Sequence, residues 1–144
     1  MKRQWTMMAS ACLALTLAAV APVVAKDAGK ASVTSCTDLK WKDAGIPGVS
    51  ASVVEGDMAA GPSRFYLKYA AGLVTPLHHH TPDHYVTTVS GTMVLVVDGK
   101  EHVLPAGSYF ALTGGKAHVA RVEGKEDCVM FIDAKGPWDV VPDK

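Results

Sequence analysis

From Val49 onward the chain is cut into short alternating runs, and this pattern constrains its fold more than any other feature. The runs cover Val49 to Val54, Phe65 to Ala70, Tyr85 to Val89, Thr92 to Val97, Glu101 to Leu104, Ser108 to Leu112, Ala117 to Val122 and Cys128 to Ile132. Each is rich in Val, Tyr, Phe and Thr and is bounded by Gly, Pro or Asp. Residues of this kind between turn formers specify strands that bury one face. Asp98-Gly99 joins two of the runs, and a two-residue primed turn needs the positive φ that this pair tolerates. No stretch keeps a helical period for ten residues. Many short strands at near-regular spacing predict one all-β sandwich or barrel over residues 36–144.

The first 25 residues read as an address. Lys2 and Arg3 precede an uncharged run from Thr6 to Val20, and Val23-Val24-Ala25 supplies the small residues of a secretory cleavage site. That run is short for a bilayer span. The expectation is a signal peptide over 1–25, cleaved after Ala25, and a periplasmic or secreted protein with no stable membrane anchor. Residues 26–35 are small and polar and predict a flexible leader. The chain carries 14 basic and 14 acidic side chains with no Lys/Arg cluster, which argues against nucleic acid as a partner. Apolar residues at 49% exclude a disordered chain. Cys36 and Cys128 survive cleavage, and an even count in an oxidising compartment predicts a disulfide between them. Two separately buried thiols are the alternative.

Four of the six histidines fall within seven residues: His78, His79, His80 and His84. On an extended strand His78 and His80 share a face and His79 points the other way. Thr81-Pro82-Asp83 breaks the strand, and His84 opens the next. Two imidazoles on one face with a third after a bend suit a single divalent metal; a solvated polar loop that is merely rich in histidine is the alternative. Imidazole favours Fe, Ni, Cu and Zn, and suits Mn less well than oxygen donors do.

The residues around the histidines resemble the two motifs of the cupin superfamily. The first runs through Gly72, His78, His80, His84 and Gly91; the second runs through Gly107, Thr113, Gly115 and His118. The usual motifs have Glu at the His84 position, Pro at Thr113 and Asn at Val122. The resemblance covers residues 65–133 and implies a double-stranded β-helix, the jelly-roll barrel, as a single domain. It maps the family's metal positions onto His78, His80, His84 and His118, an all-His site of the kind found among small bacterial cupins. Parity agrees, because all four numbers are even. His79 and His102 are expected to be exposed and outside the site. Asp83 either accepts from a ligand N–H or caps the turn after Pro82. Tyr66, Tyr69, Tyr85, Tyr109 and Phe110 line a pocket or pack the strands, Trp41 and Trp138 cover the barrel ends, and Arg121 faces outward.

Two functions remain open on the sequence. The resemblance implies an exported enzyme using one divalent metal (Mn, Fe, Ni, Cu or Zn) on a small oxygen-rich molecule, as a dioxygenase, isomerase or lyase. The alternative is a binding module that holds a metal or small ligand without turnover. No phosphate-cradling loop, nucleophile elbow or CxxC supports hydrolase, kinase or thiol-redox chemistry. An exposed sheet edge has to be covered somehow, which predicts a homodimer.

Overall fold

The structure is a computed structural model that describes residues 29–144. The predicted signal peptide and its cleavage point lie outside the described residues. Of the predicted leader, residues 29–35 are exposed and without regular structure. A compact unit spans Val33–Lys144. It opens with a 3-10 turn, Cys36–Asp38, whose N-terminus is capped by the Ser35 side chain. Eleven strands follow: β1 Lys42–Asp43, β2 Val49–Gly56, β3 Ser63–Tyr69, β4 His78–His79, β5 His84–Ser90, β6 Thr92–Val97, β7 Lys100–Pro105, β8 Tyr109–Leu112, β9 Val119–Glu123, β10 Cys128–Ala134 and β11 Val141–Pro142. Among the described residues there is no α-helix. No helix there is long and apolar enough to cross a membrane.

The strands form a six-stranded sheet in the order β1-β2-β3-β10-β5-β8, a three-stranded sheet β7-β6-β9 and a two-stranded pair β11-β4, all antiparallel. All eight predicted runs are strands. Asp98 and Gly99 take φ of 51° and 72°, as the turn between β6 and β7 requires. The core lies between the sheets because period-two alternation sends every second side chain inward. On β10 the buried set is Cys128, Met130, Ile132 and Ala134, and on β3 it is Ser63, Phe65, Leu67 and Tyr69. These pack with Val86, Met93, Leu95, Ala120 and Val122. Burying a side chain such as Phe65 or Met130 is worth about 1.5–3 kcal/mol.

The expected Cys36–Cys128 disulfide is not formed. Both thiols are free; Cys36 is exposed and Cys128 is fully buried. The sheet order explains the difference. Cys36 precedes β1 at the sheet edge, and β2 and β3 stand between β1 and β10. Three strand spacings amount to roughly 14 Å, whereas a disulfide needs Cα atoms within about 7 Å. Cys128 instead takes an inward position opposite Tyr69 and packs as a small apolar residue.

Candidate metal centre

The histidine cluster sits where the segment after β3 crosses the start of β9. His78 and His118 are locked face to face, each donating its backbone N–H to the other's carbonyl at 3.0 and 2.8 Å. His80 lies two residues beyond His78 on the same face, and its carbonyl accepts from Gly115 N at 2.9 Å. His84 opens β5 between Leu112 of β8 and Ala134 of β10. All four side chains are buried, at 2–4% exposure.

Three of the rings converge most closely. Donor atoms of His78, His80 and His118 lie within 4.8 Å of one another. His84 is adjacent but stands outside that trio, its ring centroid 4.8 Å from His80 and 6.1 Å from His118. His79 points away, half-buried rather than exposed, and pairs with Asp143 at 2.9 Å. His102 is exposed.

The hydrogen bonds fix which nitrogen faces inward. Nδ1 of His78 meets Pro76 O at 2.9 Å, Nδ1 of His84 meets Pro82 O at 3.2 Å and Nδ1 of His118 meets Lys116 O at 3.0 Å. Nδ1 of His80 meets Asp139 O. A carbonyl oxygen only accepts, so each Nδ1 carries the proton and each neutral ring keeps its lone pair on Nε2. Burial disfavours the charged form of three of the rings. Desolvation, with a smaller contribution from neighbouring imidazoles, pushes His80 down to about 3 and His118 to about 4. Desolvation also lowers His84. Buried, deprotonated imidazoles with oriented Nε2 atoms are what a divalent transition metal needs, so the residues fit one.

Among the described residues no carboxylate is hydrogen-bonded to the four rings. Asp83 takes neither predicted role: its carboxylate accepts from Gly114 N at 2.7 Å. That bond holds the β8–β9 turn against the one before β5. Gly114 is required there, since a Cβ would stand 2.2 Å from Thr81 O. Arg121 faces outward and forks onto Glu101 at 2.6 and 3.0 Å.

Trp138 belongs to the site, although its position in the sequence suggested only a barrel-end cover. Its indole stacks on His80 with centroids 3.9 Å apart and meets His84 edge-on at 5.2 Å. Residues 138–143 strap the cluster. Trp138 N donates to Met58 O at 2.7 Å, the Asp139 carboxylate accepts from Thr81 N and Oγ1, and β11 pairs with β4. No local motif marks this strap; the Gly136-Pro137 turn is its one signal in the sequence.

Two spaces adjoin the rings. A void of about 20 Å³ lies between His80, His84, His118, Trp138 and the core residues Val86 and Met130, room for about one water. A larger cavity of about 620 Å³ lies outside Trp138 and also reaches His80.

Fold and cluster together define a jelly-roll barrel with a buried polyhistidine pocket. Residues 65–133 match the family model of the Cupin domain, and the chain belongs to the cupin superfamily. It is 33% identical over 101 residues to the DNA damage-repair/toleration protein DRT102 of Arabidopsis thaliana, covering 69% of this chain but 31% of that protein. It thus spans about a third of that relative's length. Among solved structures it resembles KdgF from Halomonas sp., with TM-score 0.62, 20% identity and coverage of 74% of this chain and 94% of that one. It also resembles the polyketide cyclase RemF from Streptomyces resistomycificus, with TM-score 0.65, 18% identity and coverage of 78% and 85%. At these identities the likeness concerns the fold.

Proposed function

We propose that this chain is an exported, metal-dependent enzyme acting on a small molecule, of dioxygenase, isomerase or lyase type. The observation that carries the reading is the set of four Nδ1–H···O=C bonds, which leaves each Nε2 lone pair free, together with donor atoms of His78, His80 and His118 that lie within 4.8 Å of one another. His78, His80 and His118 would hold one divalent ion, with His84 as a fourth donor; imidazole chemistry favours Fe, Ni, Cu or Zn over Mn. When bound, such an ion supplies Lewis acidity that polarises a substrate oxygen. The chain's own residues do the rest. The carbonyls of Pro76, Pro82, Lys116 and Asp139 keep the protons on Nδ1. Trp138 and the apolar walls shield the rings from bulk solvent. The 620 Å³ cavity beside His80 gives a substrate room that a purely structural ion would not need.

The converging cluster among the described residues contains histidines alone, which favours one second reading, a module that holds metal or ligand without turnover, since a carboxylate beside the ion would supply the acid–base partner. Export after Ala25 and pairing of two copies through a sheet edge complete the proposal. The discriminating experiment is azide titration of the protein loaded with Co²⁺. A change in the visible spectrum at one equivalent of metal reports an exchangeable coordination position and supports catalysis. Stoichiometric Co²⁺ with no response supports the binding module, and no stoichiometric Co²⁺ removes the metal enzyme and leaves only a module for a metal-free ligand.

A further inference from the structure

The cavity outside Trp138 has a chemistry of its own. Its walls are Val49, Ala51 and Val53 of β2, Met58, Trp138 and Val140. All six lie outside residues 65–133, and from inside that range Leu67, Tyr69 and His80 complete the lining, so most of this chamber is built from parts that the Cupin domain match does not cover. Three of its wall or rim residues, Ile46, Val53 and Val140, are more than 40% exposed. Apolar groups left open around a cavity mark a place where something apolar binds.

The polar groups at the rim narrow the choice. Lys40 and Lys42 line the chamber, and neither forms an ion pair among the described residues. Lys42 stands directly across from Ala51 in the β1–β2 pair, so the two side chains share the cavity face. The two acids at the rim are engaged: Asp43 accepts from Gly45 N at 2.7 Å and Asp139 accepts from Thr81. The rim therefore offers two lysines without ion pairs, beside two carboxylates whose oxygens are turned to Gly45 and Thr81, above an apolar, aromatic-floored chamber.

We propose that this chamber binds a flat, largely apolar organic anion, a ring system carrying one carboxylate or phenolate. The ring lies against Trp138 and the β2 face, and the anionic group meets Lys40 and Lys42. A polyhydroxylated sugar acid is excluded, because each hydroxyl stranded against Val or Met walls costs on the order of tenfold in affinity. Only the idea that this ligand is the substrate rests on the metal-enzyme reading; the chamber itself needs no metal.

The test uses hydroxynaphthoate and galacturonate as probes, by calorimetry on the full chain, Co²⁺-loaded and EDTA-treated. The expected result is hydroxynaphthoate binding in both forms, at least tenfold tighter than galacturonate. Ala51→Trp, which fills the chamber, and Val53→Asp, which puts a like charge at an exposed wall position, each weaken it at least tenfold while Co²⁺ stoichiometry is unchanged. Equal or tighter galacturonate binding, no hydroxynaphthoate binding, or binding untouched by Val53→Asp overturns the proposal. Co²⁺ binding without hydroxynaphthoate binding sinks the chamber alone. Hydroxynaphthoate binding without Co²⁺ binding sinks the metal reading alone.

Discussion

Burying the imidazoles of His80, His84 and His118 in their neutral form makes the metal-free domain acid-sensitive in a window where few other groups titrate. In the unfolded chain each histidine protonates near 6.5. In the folded chain His80 stays neutral to about 3 and His118 to about 4, because burial disfavours the charged ring. The unfolded state therefore binds more protons below about pH 6.5, and stability falls as pH falls towards those folded values. Each unit of pH in that range costs about 1.4 kcal/mol per histidine. Between pH 8 and pH 5 each of the two rings then costs about 2 kcal/mol, about 4 kcal/mol together, and His84 acts in the same direction. Against a typical total of about 5–15 kcal/mol that loss is large. Urea denaturation of EDTA-treated protein at the two pH values measures it. Replacing His80 and His118 together with Gln should remove most of the slope, and His102→Gln should leave it unchanged. A midpoint that does not move between pH 8 and pH 5, or a slope that survives the double replacement, would refute the burial argument.

Three further outcomes follow from particular contacts. Gly91→Ala should cost on the order of 3 kcal/mol in thermal melts, because a Cβ at φ 73° would stand 2.5 Å from Asp127 O and 2.9 Å from Cys128 Cα; an unshifted melting point would contradict the β5–β6 corner. Thiol labelling followed by peptide mapping should modify Cys36 at once and Cys128 only on unfolding, since burial leaves Cys128 inaccessible and pushes its thiol up to about 11. A disulfide-linked peptide would restore the sequence-based pairing. His84→Glu should retain one Co²⁺ and weaken azide binding, because a carboxylate lowers the net positive charge at the ion; tighter azide binding would speak against His84 as a neighbour of the metal.

Local patterns carried most of the fold. Alternation placed all eight long strands, and Asp98-Gly99 placed the β6–β7 turn, because both depend on neighbours in sequence. The inward register of His78 and His80 against His79 was legible for the same reason. His118 was reached through the motif resemblance, since its bridge to His78 spans forty residues of chain. Contacts fixed only by sheet order were not legible. The Cys36–Cys128 pairing looked favourable from compartment and count, yet β2 and β3 lie between the two ends. Trp138 reads as an ordinary aromatic near the C-terminus, and nothing local reveals that the chain folds back to stack it on His80. The two-residue strands β1, β4 and β11 are too short to leave a period.

The central claim is that His78, His80, His84 and His118 form a single metal site, and metal stoichiometry of single variants tests it most directly. Full-length protein and its His80→Ala, His118→Ala, His79→Ala and His102→Ala variants would be loaded with Co²⁺ or Zn²⁺, desalted and analysed by mass spectrometry of the metal. One equivalent should remain in the starting protein and in the His79 and His102 variants. It should be lost from the His80 and His118 variants, since removing one of so few donors opens the site to water. Retention of a full equivalent by His80→Ala, with loss from His79→Ala, would contradict the strand register and the site built on it.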